Sequence, residues 1–204
     1  MTYIKTGVDQ PGIVDLLFYK GPTGKALANL AQTLLHGPSN LTPGERELIA
    51  SYVSNLNNCE YCHESHGASA SYHLKDEGRA VNLVKVDPVM APVSEKMKAL
   101  LGIAARVQKG GKEVNITHIE AARHAGATDE DIHDTVLVAA AFCMYNRYVD
   151  GLGTKLPVDK EEYVPMGKRL ATIGYKYPPL FLRTFVIRMM NRKKRTEKSS
   201  PAVA

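Results

Sequence analysis

The sequence has no apolar run that approaches 18 residues, so we expect no membrane-spanning helix. Its N-terminal segment lacks a basic stretch followed by an apolar stretch and a small-residue cleavage site, which favours a cytoplasmic protein over a secreted one. Only three cysteines occur among 204 residues, and two of them form a C-x-x-C pair. This count argues against the disulfide framework of a small secreted protein and favours a catalytic or metal-binding pair.

Several functional motifs are missing as well. The chain has no glycine-rich phosphate loop, no Ser-His-Asp arrangement and no interleaving of basic and aromatic residues, so we expect no nucleic-acid partner. The net charge of +5 equals that of residues 188–198 alone, which hold six basic residues and one acidic residue. That basic run fits either a solvated terminal helix or a docking patch for an acidic partner or a membrane surface.

The alternation of apolar and polar residues that marks strands is absent, whereas helical spacing and helix caps recur. We predict helices over 24–36, 43–56, 59–74, 94–110, 117–125 and 129–151, and two more within 161–195. The predicted N-caps are Thr42, Asn58, Thr117 and Thr128, with Glu45 and Glu120 completing capping boxes. The predicted buried stripe of the second helix comprises Leu48, Ile49, Tyr52, Val53 and Leu56. The sequence therefore predicts an all-α protein.

Residues 59–66, which read CEYCHESH, carry the main functional signal. Cys59 and Cys62 lie on one side of a helix, close enough to form a disulfide, and His66 lies one turn beyond Cys62. Cysteines in the first turn of a helix face its positive dipole end, and the pKa of such thiols falls from about 8.5 to about 3.5–7.5. A histidine at this spacing can accept the thiol proton if a carboxylate orients its ring.

Glu47 is the best candidate for that carboxylate. It lies on the preceding predicted helix beside small residues, Ala50, Ser51 and Ser54, which leave room for a neighbouring helix. Glu45 is occupied by its capping box, and Glu60 and Glu64 are expected on the surface. The predicted site therefore comprises Glu47, Cys59, Cys62 and His66.

Other interpretations of the same residues stay open. A zinc ion held by the two cysteines, His66 and Glu47 would stabilise a non-enzymatic helical interaction module, although the chain has no second ligand cluster. A general dithiol–disulfide oxidoreductase needs the same cysteine pair. The string CEYCH also matches covalent haem attachment with His63 as axial ligand, but that reaction normally requires export. Finally, the two thiols could simply be buried as small apolar groups.

The spacing of the four site residues resembles the active-site signature of the alkylhydroperoxidase D / carboxymuconolactone decarboxylase family. Eleven residues separate Glu47 from Cys59, and three separate Cys62 from His66. The segment NRYVDGLG at 146–153 is similar to that of the peroxidase-related, alkylhydroperoxidase-like subgroup. The resemblance covers roughly residues 24–175. It implies an AhpD-like helical bundle over 1–175, an obligate homo-oligomer, and a C-terminal helix with a basic tail at 176–204.

The resemblance further implies thiol-dependent reduction of hydroperoxides without metal or haem. Cys62 would attack the peroxide, Cys59 would resolve the product, and His66 held by Glu47 would act as base; a protein or small-molecule thiol of unknown identity would then reduce the enzyme. The family's decarboxylases generally lack the C-x-x-C. One departure is Tyr61, which stands where the best-studied members carry a second relay histidine. His63 lies about 100° further round the helix.

The remaining candidate residues are expected to be structural. Cys143 falls within an apolar helix interior and is predicted to belong to the core. Three histidines without partners at ligand spacing, His118, His124 and His133, are predicted on helix surfaces. The polar trio Asn146, Arg147 and Asp150 predicts a buried, hydrogen-bonded arginine near the end of its helix.

Overall fold

The computed structural model describes residues 2–199, with side chains through residue 192, and in this range the protein is built from α-helices without any strand. The helices are α1 (Ile13–Tyr19), α2 (Gly21–His36), α3 (Pro43–Leu56), α4 (Glu60–Leu74), α5 (Arg79–Val86), α6 (Glu95–Lys109), α7 (Ile116–His124), α8 (Asp129–Gly151), α9 (Tyr163–Ile173) and α10 (Arg183–Ser199). Short 3₁₀ turns lie at Gly111–Glu113, Lys160–Glu162 and Leu180–Leu182. The predicted all-α class is confirmed. Most side chains of the basic run at 188–198 lie outside the described residues.

Helix α3 occupies the centre of the molecule, where it packs against α4, α6 and α8. Its start follows the prediction, because Thr42 and Glu45 form a reciprocal capping box and Pro43 is the first helical residue. The predicted stripe is buried except for Leu56, which packs partly exposed against the core. The described helices include none long and apolar enough to cross a bilayer.

The junction between α3 and α4 differs from the prediction. Asn58 is not the N-cap of α4: its φ of 58° places it in the left-handed region, which an asparagine tolerates better than most residues. Cys59 takes the N-cap position instead, with no side-chain capping bond, and Cys62 becomes the third residue of the helix. The turn is stabilised by Asn57, whose Nδ2 donates to Asn146 Oδ1 at 2.8 Å.

Three other local predictions were wrong or incomplete. Helix α7 is capped by Asn115 with His118, not by Thr117 with Glu120. Helix α1 and helix α5 were not predicted at all. Each follows a glycine in the left-handed region, at Gly12 (φ 59°) and Gly78 (φ 82°), without a side-chain N-cap that could mark its start.

Helix α9 covers the outer side of α4 and thereby helps to enclose the cysteine pair. Tyr163 at its start packs with both cysteines in a small apolar cluster. Further along, Gly167 lies so close to α4 that a Cβ there would be 2.4 Å from the Cβ of Ala68. This glycine therefore sets the distance between the two helices.

Gly167→Ala is expected to destabilise the protein by about 1–3 kcal/mol, because α9 must move away from α4 to make room for the methyl group. The free energy of unfolding measured by urea denaturation checks this. Gly102→Ala is the matched control, since Gly102 also lies inside a helix but a Cβ there meets nothing within 4 Å. It should stabilise the protein by about 0.4–1 kcal/mol. Equal effects of the two substitutions would contradict the packing argument.

Candidate active site

The structure brings the helices that carry the four predicted site residues together. Helix α4 carries Cys59 at its N-cap, Cys62 at its third residue and His66 one turn further. Glu47 lies on α3, the helix packed most extensively against α4. The exposed fractions of Cys59, Cys62 and Glu47 are 1%, 3% and 0%, so these three side chains are almost entirely shielded from water.

Glu47 contacts the imidazole of His66 directly. The carboxylate Oε2 accepts from Nδ1 of His66 at 2.7 Å. With the ring proton held on Nδ1, the lone pair of the neutral ring resides on Nε2, which is then the basic atom. The edge-to-face contact with Phe142, at 4.6 Å between ring centroids and 85° between planes, fixes the ring from another side.

A third polar group joins this pair and was missed by the sequence analysis. The hydroxyl of Tyr175 donates to Oε1 of Glu47 at 2.6 Å and lies 3.1 Å from Nδ1 of His66. The two rings are also stacked, 5.8 Å apart and inclined by 13°. Burial and the neighbouring Glu47 carboxylate raise the pKa of Tyr175 well above its usual value, so its phenol stays protonated. Tyr175 lies in a non-helical segment after α9, so no helical spacing in the sequence relates it to Glu47 or His66.

The two cysteines are not equivalent. The pKa of Cys59 is raised, first because its thiol is hydrogen-bonded to Cys62, then because of burial, and also through contact with the Asp150 side chain. The prediction that both thiols have lowered pKa values is therefore wrong for Cys59. The S–H of Cys59 acts as a donor toward the Cys62 sulfur. Both cysteines are free thiols.

His63 does not take part in this arrangement. Its ring lies against α3, where Nδ1 is 3.2 Å from both the hydroxyl and the carbonyl oxygen of Ser51. Ser51 in turn donates its hydroxyl to the His63 carbonyl at 3.0 Å. Burial lowers the pKa of His63, which keeps its ring neutral near pH 7. His63 therefore contributes to the α3–α4 packing.

The zinc interpretation requires four ligands around one point. Among residues 2–199, no group of three or more histidine, cysteine, aspartate or glutamate side chains is arranged to hold a metal ion. This finding does not support the zinc interpretation.

Tyr61 occupies the position at which the best-studied members of the resembled family carry a second relay histidine. Its side chain is buried and its ring lies 6.2 Å from that of Tyr163. The backbone of Gly12 packs directly on the Tyr61 ring, so that a Cβ there would come within 2.1 Å of it. Burial raises the pKa of Tyr61, and its hydroxyl therefore stays neutral beside Cys62. Tyr61 ties the N-terminal segment to the cysteine helix.

The polar trio on α8 is only partly as predicted. Asn146 is buried and structural, since its Nδ2 donates to Ser54 Oγ at 2.9 Å. Arg147 is exposed rather than buried, and its guanidinium donates to the carbonyl of Cys143 one turn back at 2.8 Å. The predicted buried arginine is therefore wrong. Cys143 is half-buried against the core.

A small cleft gives access to the start of α4. It has a volume of about 230 Å³ and is lined by Ser54, Asn55, Asn58, Cys59, Glu60 and His63. The left-handed turn at Asn58 forms one of its walls.

Comparison with known proteins gives a consistent family. The model of the carboxymuconolactone decarboxylase family matches residues 22–87 and 84–153, which together are more than half of the chain. No curated protein matches the chain. Several solved structures do match it.

An alkylhydroperoxidase AhpD core, an uncharacterized peroxidase-related protein from Ralstonia eutropha JMP134, is 31% identical with a TM-score of 0.68, over 77% of this chain and 81% of that one. An uncharacterized peroxidase-related protein from Silicibacter sp. TM1040 is 27% identical with a TM-score of 0.68, over 76% of this chain and 78% of that one. A protein of unknown function from Agrobacterium tumefaciens, 24% identical with a TM-score of 0.61 over 76% of this chain and all of that one (100%), supports the fold alone.

Proposed function

The chain belongs to the carboxymuconolactone decarboxylase family, and from that premise we propose that it is a thiol-dependent peroxidase. The family also contains decarboxylases, so membership alone does not decide the reaction. Two features of this chain favour peroxide reduction: the paired cysteines at the start of α4, and the likeness to peroxidase-related proteins. Its substrate in this proposal is a hydroperoxide, and its reductant is a thiol.

The first half-reaction takes place at Cys62. His66 accepts the thiol proton on Nε2, and the Cys62 sulfur attacks the near oxygen of the hydroperoxide. As the S–O bond forms, the O–O bond breaks, and the departing alkoxide takes the proton back from His66. The products are an alcohol and a sulfenic acid on Cys62.

The second half-reaction uses Cys59. Its sulfur attacks the Cys62 sulfur, the S–O bond breaks, and the hydroxide leaves as water with the proton that Cys59 gives up. A disulfide joins the two cysteines. One dithiol or two monothiols then reduce this disulfide by thiol–disulfide exchange and return both thiols.

The observation that carries this proposal is the 2.7 Å contact between Glu47 and His66. The side chain of Glu47 is 0% exposed. A buried carboxylate in contact with a histidine stabilises the imidazolium that forms when Cys62 loses its proton. A cysteine pair packed as small apolar groups would not need a buried, ionisable relay one turn away, because burying a carboxylate is costly.

Titration of free thiols tests the proposal. One equivalent of hydroperoxide is expected to remove two thiols per chain from the protein. Cys62→Ser should abolish that loss, whereas Cys143→Ser should leave it unchanged, because Cys143 lies elsewhere on α8.

Metal analysis of the same sample separates the alternatives. If zinc is found at one per chain and hydroperoxide leaves the thiols intact, the peroxidase proposal fails in favour of a zinc-stabilised module. If a disulfide donor oxidises the pair but hydroperoxide does not, the protein is a general dithiol oxidoreductase.

A further inference from the structure

Tyr175 lies outside the part of the chain that the family model matches, which ends at residue 153. It nevertheless touches both members of the relay, at 2.6 Å from Glu47 Oε1 and 3.1 Å from His66 Nδ1. The segment after α9 thus adds a group to the site that the shared family region does not supply.

The position of Tyr175 is fixed by its backbone. Its N–H donates to Oε1 of Gln32, on α2, at 2.7 Å. The preceding residue, Gly174, has a φ of 76°, and a Cβ there would lie 2.4 Å from the same Gln32 oxygen. Only glycine fits this turn without strain, so the chain is held against α2 with the phenol directed at Glu47.

Each carboxylate oxygen of Glu47 accepts a hydrogen bond from a different donor. Oε2 accepts from His66 and Oε1 accepts from Tyr175. Since Glu47 is 0% exposed, no water can replace a lost donor without rearrangement, and an oxygen left alone would destabilise the charged carboxylate. A weaker charge on Glu47 would in turn stabilise the His66 imidazolium less.

We propose that Tyr175 is a positioning residue of the relay, which holds Glu47 ionised and oriented so that His66 can take the Cys62 proton. This inference rests on the proposed peroxidase function but concerns a different residue and a different measurement. The phenol acts through Glu47 and His66 and does not itself need to reach the peroxide.

Other ionisable groups surround this trio on several elements. They are His36 on α2, Arg46 on α3, Tyr61 and His73 on α4, and Tyr145 on α8. His36 comes nearest, with Nε2 3.9 Å from Glu47 Oε1, which is too long for a hydrogen bond. Burial lowers the pKa of His36, so its ring is neutral near pH 7 and adds no positive charge beside Glu47.

Arg46 is committed elsewhere. Its Nη1 donates to the carbonyl oxygens of Leu34 and Gly37, at 2.9 and 3.0 Å, at the end of α2. Removing the Tyr175 hydroxyl therefore leaves Oε1 of Glu47 without a close donor.

The test compares Tyr175→Phe with Tyr177→Phe. Each variant loses one phenolic hydroxyl, and the two positions are two residues apart. Unlike Tyr175, Tyr177 donates to the Leu17 carbonyl at 3.3 Å and stacks on Phe18. The measured quantity is the rate at which iodoacetamide alkylates Cys62 as a function of pH, with Cys59 and Cys143 resolved by peptide mass. Circular dichroism of each variant checks that the fold is kept.

Tyr175→Phe is expected to move the midpoint of Cys62 alkylation up by about one pH unit, which makes the reaction about tenfold slower below the midpoint. The sign follows because a less stable Glu47 anion stabilises the imidazolium less and leaves Cys62 protonated to higher pH. Tyr177→Phe should match the native protein.

His66→Ala distinguishes the ways in which this test can fail. If His66→Ala raises the midpoint and Tyr175→Phe does not, the relay stands and the inference about Tyr175 is overturned. If neither variant changes the midpoint, the relay itself is wrong, and the inference is overturned together with the proposed function. A shift of equal size in Tyr177→Phe would also overturn it, because the effect would then belong to the segment and not to the hydroxyl.

Discussion

Replacing His66 by alanine is expected to reduce peroxide turnover by about 10²–10⁴-fold, the range typical of a lost general base. The reason is that Nε2 of His66 is the basic atom one helical turn from Cys62, while Nδ1 is held by Glu47 at 2.7 Å. Steady-state turnover with hydroperoxide and a dithiol donor measures the effect. Glu47→Gln keeps the shape of the side chain but removes its charge, so its turnover should fall between those of the native protein and His66→Ala.

His63→Gln is the control for this prediction. His63 lies on the same helix and is also buried, but its ring is directed at Ser51. Turnover should stay within about threefold of the native value, since loss of packing alone has a modest effect on chemistry that does not use the ring. If His63→Gln were as inactive as His66→Ala, His63 would be the missing second relay histidine, and the assignment of His66 would need revision.

Replacing Cys59 by serine is expected to separate the two half-reactions. The first equivalent of hydroperoxide should be consumed, because Cys62, His66 and Glu47 are unchanged. Subsequent turnover should fall at least about 10²-fold, because an external thiol must replace a resolving thiol already in contact with Cys62. Pre-steady-state peroxide consumption followed by steady-state turnover shows the two phases.

Cys143→Ser provides the comparison, with both phases intact. An unchanged turnover in Cys59→Ser would mean that the reductant attacks the sulfenic acid directly, and Cys59 would then have no resolving role. A loss of the first phase in the same variant would mean that Cys59, not Cys62, attacks the peroxide.

The sequence contained enough to predict the contact between Glu47 and His66. Capping boxes at Thr42 and Thr128 define helix starts by strictly local chemistry, so the register of α3 and α8 followed from a few residues. Small residues on α3 allowed α4 to approach closely, as the contact between Ser51 and His63 illustrates. The spacing within α4 then determined which side chains share a face.

Other features depend on contacts between distant segments and could not be predicted. Tyr175 lies 128 residues beyond Glu47, and its position depends on the left-handed turn at Gly174 and on Gln32. The exposure of Arg147 likewise depends on which face of α8 the neighbouring helices cover. Helices α1 and α5 lack side-chain N-caps, so tertiary packing rather than a local signal defines where they begin.

The left-handed conformation of Asn58 shifts the start of α4 by one residue, and this has a chemical consequence. Cys59 becomes the N-cap, outside the helical turn, while Cys62 lies within it. Cys62 therefore lies in the first turn, at the positive end of the helix dipole, and the Cys59 thiol donates toward its sulfur.

The most direct test of the account is the location of the sulfenic acid. Cys59→Ser protein is treated with one equivalent of hydroperoxide in the presence of dimedone, which reacts selectively with sulfenic acids, and the adduct is mapped by peptide mass. If Cys62 is the thiol that attacks the peroxide, we expect one adduct per chain on the peptide that contains Cys62 and none on the peptide that contains Cys143. An unmodified Cys62, or an adduct on Cys143 instead, would contradict the claim that the Glu47–His66 pair prepares Cys62 for attack on peroxide.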